Sequence, residues 1–276
     1  MLVEVFRALV AAVVAVAVAT PAHGPTEADG ALGNAVVGAD MSWPNCPKGL
    51  GIPRRPTLGL PFPQQSAQFV VVGLTNGPAF HPNPCLVSQV AFARERGLHA
   101  SAYAVVTYPT KRQLRRYGAS AGGAPAGQTR LWNTGWAQAK VNVAEMRAAG
   151  LDSPAMWVDV EPVTKPAPWS RHLARNRQVV EGAVAGYRDA GLEVGLYSVR
   201  SLWRRVVGNA RYGLPEWRSA GPRSQAAALA MCRSGSFNGG PAVIAQWWDD
   251  RRDHDLLCPG TPTTEVLDRW FVGFAN

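Results

Sequence analysis

The 276-residue sequence is short of several things, and each shortage removes a class of protein. It holds four cysteines and five histidines, with no CxxC and no Cys/His cluster, so no zinc pattern is present and no metal is implied. No glycine-rich phosphate loop follows the first apolar strand, which argues against a nucleotide cofactor. No Ser/His/Asp spacing stands out for a nucleophilic triad. His81, His99 and His172 are isolated, and His254 lies between two aspartates in a loop-like stretch. Lysine is scarce: of 28 basic residues only Lys48, Lys111, Lys140 and Lys165 are lysines, and the net charge is +9. The arginines are scattered in pairs such as Arg54-Arg55, Arg115-Arg116, Arg204-Arg205 and Arg251-Arg252, without a recognition motif, so nucleic acid is not an expected partner. With 47% apolar and 17% charged residues, what remains is the composition of a globular protein with a substantial core.

The N-terminus sets the expected compartment. Arg7 precedes an apolar run, Ala8–Ala19, and Thr20-Pro21-Ala22 offers a small-residue cleavage site. Residues 1–22 are read as a secretory signal peptide, because the run is shorter than the ~20 residues of a spanning helix. No later run is long and apolar enough to cross a membrane, so no stable membrane insertion is expected after cleavage. Residues 23–35 read as a flexible linker, and residues 36–276 as one domain, expected to be monomeric. Export makes disulfides of the even cysteine set. Three pairings are possible. Cys46 and Cys85 fall near one end and Cys232 and Cys258 near the other, which favours Cys46–Cys85 and Cys232–Cys258. A basic exported protein is attracted to anionic wall polymers, although scattered arginines also fit a plain solvated surface.

Along the chain, short apolar segments alternate with helical ones. Strands are expected at 35–42, 68–75, 99–108, 155–161, 193–199, 214–220 and 241–248, with a weaker one near 253–258. Helices are expected at 85–97, 135–150, 175–191 and 201–208, several of them closed by glycine. Stretches 43–66 and 109–134, rich in Gly with Pro or Ala, read as loops. This alternation implies a mainly parallel sheet. Seven or eight strands in one domain suit an α/β fold, a single-domain (β/α) TIM-like barrel with some later strands lacking helices. A doubly wound open sheet is the alternative.

One strand carries a pattern that a core strand avoids. "AMWVDVEPV" (155–163) is apolar except for Asp159 and Glu161. Buried carboxylates are costly unless paired or used. Residues i and i+2 share a strand face, so the two acids project together, with Cα atoms roughly 6–7 Å apart. They sit at the C-terminal end of the strand, where barrel active sites collect. A carboxyl pair of this kind suits glycoside hydrolysis: one acid protonates the leaving oxygen, and a carboxylate stabilises the developing cation. Position on the strand casts Glu161 as proton donor and Asp159 as its electrostatic partner. The competing reading is that both acids pair with arginines.

Six segments, in order, resemble the glycoside hydrolase 25 family, the secreted lysozyme-like muramidases, over about residues 37–258. "GADMSW" (38–43) is similar to the family's G-x-D-x-S strand, and "FVVVGLTNG" (69–77) to its strand ending K-A-T-E-G. "RGLHASAYAV" (96–105) resembles A-G-L-x-x-G-A-Y, and "WVDVEPV" (157–163) the D-x-E strand. "GLEVGLYSVRSLW" (191–203) resembles the segment with a Tyr-ended strand, and "IAQWW" (244–248) the Q-Y or Q-W strand. The resemblance implies a (β/α) barrel acting on peptidoglycan glycan beside N-acetylmuramic acid, without a cofactor. It places site acids at Asp40, Asp159 and Glu161. It also implies a late aspartate among Asp249, Asp250, Asp253 and Asp255, with Asp255 before Leu256 the best match to D-L-N. Gly73 and Asn76 stand where the family has Lys and Glu, Leu257 replaces the Asn of D-L-N, and Pro44 and Cys46 depart in the first loop.

Ten tryptophans suit a carbohydrate groove, since sugar rings pack on aromatic faces, although ordinary core packing is the plainer explanation for any one of them. Tyr103, Trp247, Trp43 and Tyr197 are the expected substrate-binding aromatics. The leading function is a secreted glycoside hydrolase acting on cell-wall glycan. A non-catalytic glycan-binding protein on the same barrel is the alternative, motivated by the lost polar pair on the second strand. An exported structural or partner-binding protein ranks last, because it leaves the acid pair unexplained.

Overall fold

The computed structural model describes residues 35–119, 124–162 and 168–274. The expected signal peptide, 1–22, and linker residues 23–34 lie outside the described residues. In chain order the strands are β1 (Val37–Met41), β2 (Gly51–Ile52), β3 (Arg55–Pro56), β4 (Phe69–Gly73), β5 (His99–Val105), β6 (Ala155–Asp159), β7 (Glu193–Ser198), β8 (Glu216–Ser219), β9 (Ala242–Trp248), β10 (Asp253–Leu257) and β11 (Val272–Gly273). The helices are α1 (Leu86–Glu95), α2 (Lys111–Tyr117), α3 (Arg130–Ala148), α4 (Leu173–Asp189), α5 (Arg200–Val207), α6 (Gln225–Arg233) and α7 (Thr263–Trp270).

Eight strands form one sheet in the order β5-β4-β1-β10-β9-β8-β7-β6. Pairing of β5 with β6, Tyr103 opposite Trp157 and Val105 opposite Asp159, closes it into a barrel and excludes the open doubly wound alternative. Neighbours run parallel except at β10, which is antiparallel to both β9 and β1. A four-residue connection between β9 and β10 is too short for a crossover helix, so the chain turns back as a hairpin. β11 adds to the outside of β5, antiparallel.

Strand alternation sorts the side chains into two cores. Outward residues such as Val70, Val72, Met156, Val158 and Leu196 pack beneath the helices. Inward residues Phe69, Val71, Trp157, Trp217 and Ile244 fill the lower barrel, where α7 brings Trp270 against Trp157 with ring centroids 4.5 Å apart. These rings fit because facing positions are glycine. A Cβ on Gly38 would lie 2.6 Å from the Phe69 ring, and one on Gly195 would enter the Trp157 ring. Gly195→Ala is therefore expected to destabilise the protein by about 1–3 kcal/mol through overpacking. Urea unfolding should show a lower midpoint with an unchanged slope, and an unchanged midpoint would contradict this packing.

Both disulfides form as expected, Cys46–Cys85 and Cys232–Cys258. The first ties the loop after β1 to the start of α1, and the second ties α6 to the end of β10. Stretch 43–66 is more ordered than its composition implies, since it holds the β2–β3 hairpin. Among the described residues, no helix is long and apolar enough to cross a membrane.

Candidate active site

The polar end of the barrel is the one at which the parallel strands finish. There a cavity of about 270 Å³ is lined by Asp40, Tyr103, Asp159, Glu161, Tyr197, Trp217, Gln246, Trp248 and Asp253. Larger cavities exist on the exterior, one of about 440 Å³ beside Arg188 and Pro215, but it gathers no comparable set of acids.

Asp159 is the last residue of β6, and Glu161 lies two residues beyond it. The ladder continues past the strand, because the Val160 amide donates to the Tyr197 carbonyl at 3.0 Å and Ser198 Oγ donates to the Val160 carbonyl at 2.7 Å. The alternation therefore persists, and Glu161 joins Asp159 in the cavity. Trp169 Nε1 donates to the Glu161 carbonyl at 2.7 Å and holds the rim. Neither acid forms an ion pair with a described residue, so the arginine-pairing reading fails among them. Asp159 is 5% exposed, and its Oδ1 has no hydrogen-bond partner among the described residues. Burial raises the Asp159 carboxyl well above the usual range, the Glu161 charge raises it further, and Arg55 pulls it back. Burial also raises Glu161. The two acids titrate as a pair that keeps a proton beyond the pH at which free carboxyls lose theirs.

The opposite wall is a hydrogen-bonded chain. Tyr197 Oη donates to Gln246 Oε1 at 2.8 Å, and Gln246 Nε2 donates to Asp40 Oδ2 at 2.7 Å. The buried Asp255 Oδ2 has no hydrogen-bond partner among the described residues. Trp217 Nε1 donates to Asp255 Oδ1 at 2.8 Å. Burial lifts both Asp40 and Asp255 well above the ordinary range. Burial also lifts the hydroxyls of Tyr103 and Tyr197, reinforced by nearby carboxylates, Asp40 for Tyr103 and Glu161 for Tyr197.

The late-aspartate choice divides between two residues of β10. Asp253 opens onto the cavity and is raised to about 6, chiefly by burial. Asp255, fully buried, lies outside the lining and accepts from Trp217 Nε1.

The expected aromatics divide as well. Tyr103 and Tyr197 line the cavity. Trp247 does not: β9 turns Ile244, Gln246 and Trp248 inward, so Trp247 faces outward and stacks on His254 with centroids 5.2 Å apart. Trp248, 39% exposed, takes the place expected of it. Trp43 follows β1 in a 3₁₀ turn and stands outside the lining, with the Arg55 guanidinium 5.7 Å from its ring centroid. Sequence reasoning missed Trp217 and Gln246 as wall residues, although both follow from the period of two that fixes Tyr197 and Asp255.

The two departures, one at the end of β4 and one in the loop after it, have local causes. Gly73 faces inward where Tyr103 and Ser42 leave no space for a Cβ. Asn76 is buried and holds the β2–β3 hairpin, accepting from the Ile52 amide at 2.7 Å and donating to the Arg55 carbonyl at 3.3 Å.

So many raised carboxyls make stability depend on pH. In the unfolded chain they return to values near 4. Between that value and their folded values the native state binds more protons than the unfolded state. Their contribution is therefore complete below about pH 4 and is lost as pH rises through the folded values. Asp249 acts oppositely, lowered to about 2 by His254 and two backbone amides, but it is solvent-exposed and counts little. The urea midpoint is expected to be higher near pH 5 than near pH 7, and a midpoint that rises over this interval would contradict these environments.

A closed barrel with a carboxyl-lined mouth at its strand ends is the architecture of many glycoside hydrolases. The family model for lysozyme-like protein 1 matches residues 126–217, a third of the chain that includes β6 and both Asp159 and Glu161. No curated protein sequence matches the chain. Among solved structures, the bacterial lysozyme of Streptomyces coelicolor aligns over 85% of this chain and 96% of its own, at 14% identity and TM-score 0.54. The muramidase of Acremonium alcalophilum aligns over 84% and 97%, at 14% identity and TM-score 0.53. A family GH25 lysozyme from Aspergillus fumigatus aligns over 86% and 99%, at 16% identity and TM-score 0.51. The chain has the fold of the family 25 lysozymes, in a divergent form.

Proposed function

We propose that the protein is an exported glycoside hydrolase that cleaves the glycan of cell-wall peptidoglycan. The observation that carries this reading is the placement of buried Asp159 and partly buried Glu161 together in the cavity, with no cation paired to either among the described residues. The muramidases and lysozymes that share the fold support the choice of substrate. Glu161, nearer the rim, protonates the leaving glycosidic oxygen. Asp159, once ionised, stabilises the developing positive charge or steers a substrate amide toward it. Asp40, Asp253 and the Tyr197–Gln246 chain orient the sugar, with Asp255 holding the Trp217 ring in the wall. Trp248 and Tyr103 offer faces for its apolar side. The chemistry asks for no cofactor. Removal of residues 1–22 would release the barrel toward the wall, and its net charge of +9 favours anionic polymers there.

The test is incubation of the oxidised protein with purified peptidoglycan, followed by a reducing-end assay across acidic to mildly basic pH. Release supports the hydrolase. Binding without release at any pH would overturn it in favour of the non-catalytic glycan binder, the reading that Gly73 and Asn76 at the second-strand positions favour.

A further inference from the structure

The positive charge of the chain is confined to one part of it. From Met41 to Ala144 the only carboxylate is Glu95, while eleven side chains are lysine or arginine. That stretch holds the whole net charge of +9, and the rest of the chain is close to neutral. Such a separation points to an anionic partner. The stretch contains β4, α1 and β5 and the loops that follow β1, β4 and β5. Those three strands are neighbours, in the order β5-β4-β1, so their loops stand side by side at the barrel mouth.

Contacts join the three loops into one ridge. Buried Asn76, after β4, accepts from the Ile52 amide and donates to the Arg55 carbonyl, which fixes the β2–β3 hairpin. The Arg55 guanidinium lies against Gly77, where a Cβ would stand 2.6 Å from Nη1. Two residues further, the Ala79 amide donates to Thr107 Oγ1 at 3.3 Å. Phe80 then stacks on Tyr117 of α2, with ring centroids 4.3 Å apart and planes 3° from parallel. Phe80 holds this place at φ +66°, a conformation that strains a residue with a side chain. The Arg116 guanidinium lies 5.1 Å from the Tyr117 ring centroid.

Along the ridge Arg54, Lys111, Arg112, Arg115 and Arg116 are exposed and Arg55 is half-buried. None of them forms an ion pair among the described residues. Collecting them costs α2 stability. Lys111–Arg115 and Arg112–Arg116 are like-charged pairs one turn apart, and the cations of the first turn oppose the helix dipole. The Thr110–Gln113 capping box holds the helix despite this. We propose that the ridge binds an anionic wall polymer of repeating phosphodiesters, laid along the mouth of the barrel. Five of the six cations are arginines, whose planar forks match phosphate oxygens two at a time. Their spread over separate loops suits a chain of spaced charges better than a single anion. A bilayer is the poorer fit, because α2 turns no large apolar side chain outward to insert.

The choice of a wall polymer rests on the exported-hydrolase reading, so the deciding experiment measures binding and not turnover. Fluorescence anisotropy of labelled poly(glycerol phosphate) compares the wild type with Arg112→Glu/Arg115→Glu and with Arg204→Glu/Arg205→Glu, an equal change of charge on the exposed side of α5. No described side-chain hydrogen bond or ion pair involves Arg112 or Arg115, and glutamate near the start of α2 suits the helix dipole, so the fold should persist, checked by an unchanged urea midpoint. The ridge variant is expected to bind about tenfold or more weakly and the α5 variant within about threefold of the wild type, a difference that shrinks as salt is raised. No binding by the wild type, or equal losses in the two variants, would overturn the proposal. Binding as tight to polygalacturonate would deny the preference for phosphate, and tighter binding to phosphatidylglycerol vesicles would give the ridge to a membrane. Walls stripped of phosphodiester polymers by mild acid should retain less wild-type protein than intact walls. Equal retention would give the ridge to peptide carboxylates and overturn the proposal. If the wild type releases no reducing ends, the hydrolase reading falls and these binding results still decide the role of the ridge.

Discussion

Glu161→Gln is expected to lower reducing-end release from peptidoglycan by about 10²–10⁴-fold while glycan binding persists, the loss that follows from removing a general acid. Glutamine keeps the size and polarity of the side chain and gives up only the acidic proton. Glu161 stands at the rim and is only partly buried, and the Trp169–Glu161 hydrogen bond runs through the main-chain carbonyl, so the substitution leaves the rim in place. Unfolding midpoints should match the wild type within a few tenths of a kcal/mol. The measurement is turnover beside pull-down on insoluble peptidoglycan. Equal turnover in both proteins would remove Glu161 from the proton-donor role, and lost binding would make it a contact rather than an acid.

Glu216→Ala is expected to have the largest effect on stability, about 3–5 kcal/mol, from breaking a buried ion pair by removing one partner. Glu216 and Arg218 project from the outer face of β8, with side chains 0% and 5% exposed, and Arg218 Nε donates to Glu216 Oε2 at 2.6 Å. Glu216 also accepts from the backbone amides of Phe237, Asn238, Gly239 and Gly240, from Asn238 Nδ2 and from Ser236 Oγ. Arg218 donates to the carbonyls of Met231, Ser234 and Gly240. Two side chains thus organise the whole connection from α6 to β9. Alanine would strand the guanidinium and a row of buried amides together. Between the pair sits Trp217, turned inward to hold Asp255, so loosening β8 also loosens the cavity floor. Urea unfolding checks the size, and a loss below about 1 kcal/mol would show that the loop satisfies itself without the carboxylate.

Much of the barrel was legible because its strands are short apolar runs bounded by glycine and polar residues. All eight barrel strands fall within a few residues of their expected positions. The helices that escaped notice lack an apolar stripe or hide in stretches of small residues. α2 is "KRQLRRY", set in place by a Thr110–Gln113 capping box rather than by burial, and α6 is an alanine-rich run capped by Ser224. α7 follows Pro262 near the chain's end, where no alternation pointed to it. The reversed direction of β10 depends on a turn, not on its own residues. Asp159 and Glu161 could be placed because the period of two and the strand end speak directly to a barrel mouth. Trp247 was misplaced by one residue, which in a strand exchanges the two faces. Ile244 and Gln246 share parity with Trp248, so the sequence held the correction. The β2–β3 hairpin could not be read at all: a buried asparagine and a disulfide-anchored loop hold it, contacts between segments far apart in the chain.

The central claim, cleavage beside N-acetylmuramic acid, is tested most directly by the identity of the new chain end. Digested peptidoglycan is reduced with borohydride, hydrolysed and analysed for amino-sugar alcohols. The account predicts muramitol in the wild-type digest, above the level with Glu161→Gln. Glucosaminitol instead would make the enzyme a glucosaminidase, and neither alcohol above background would contradict hydrolysis of this glycan altogether.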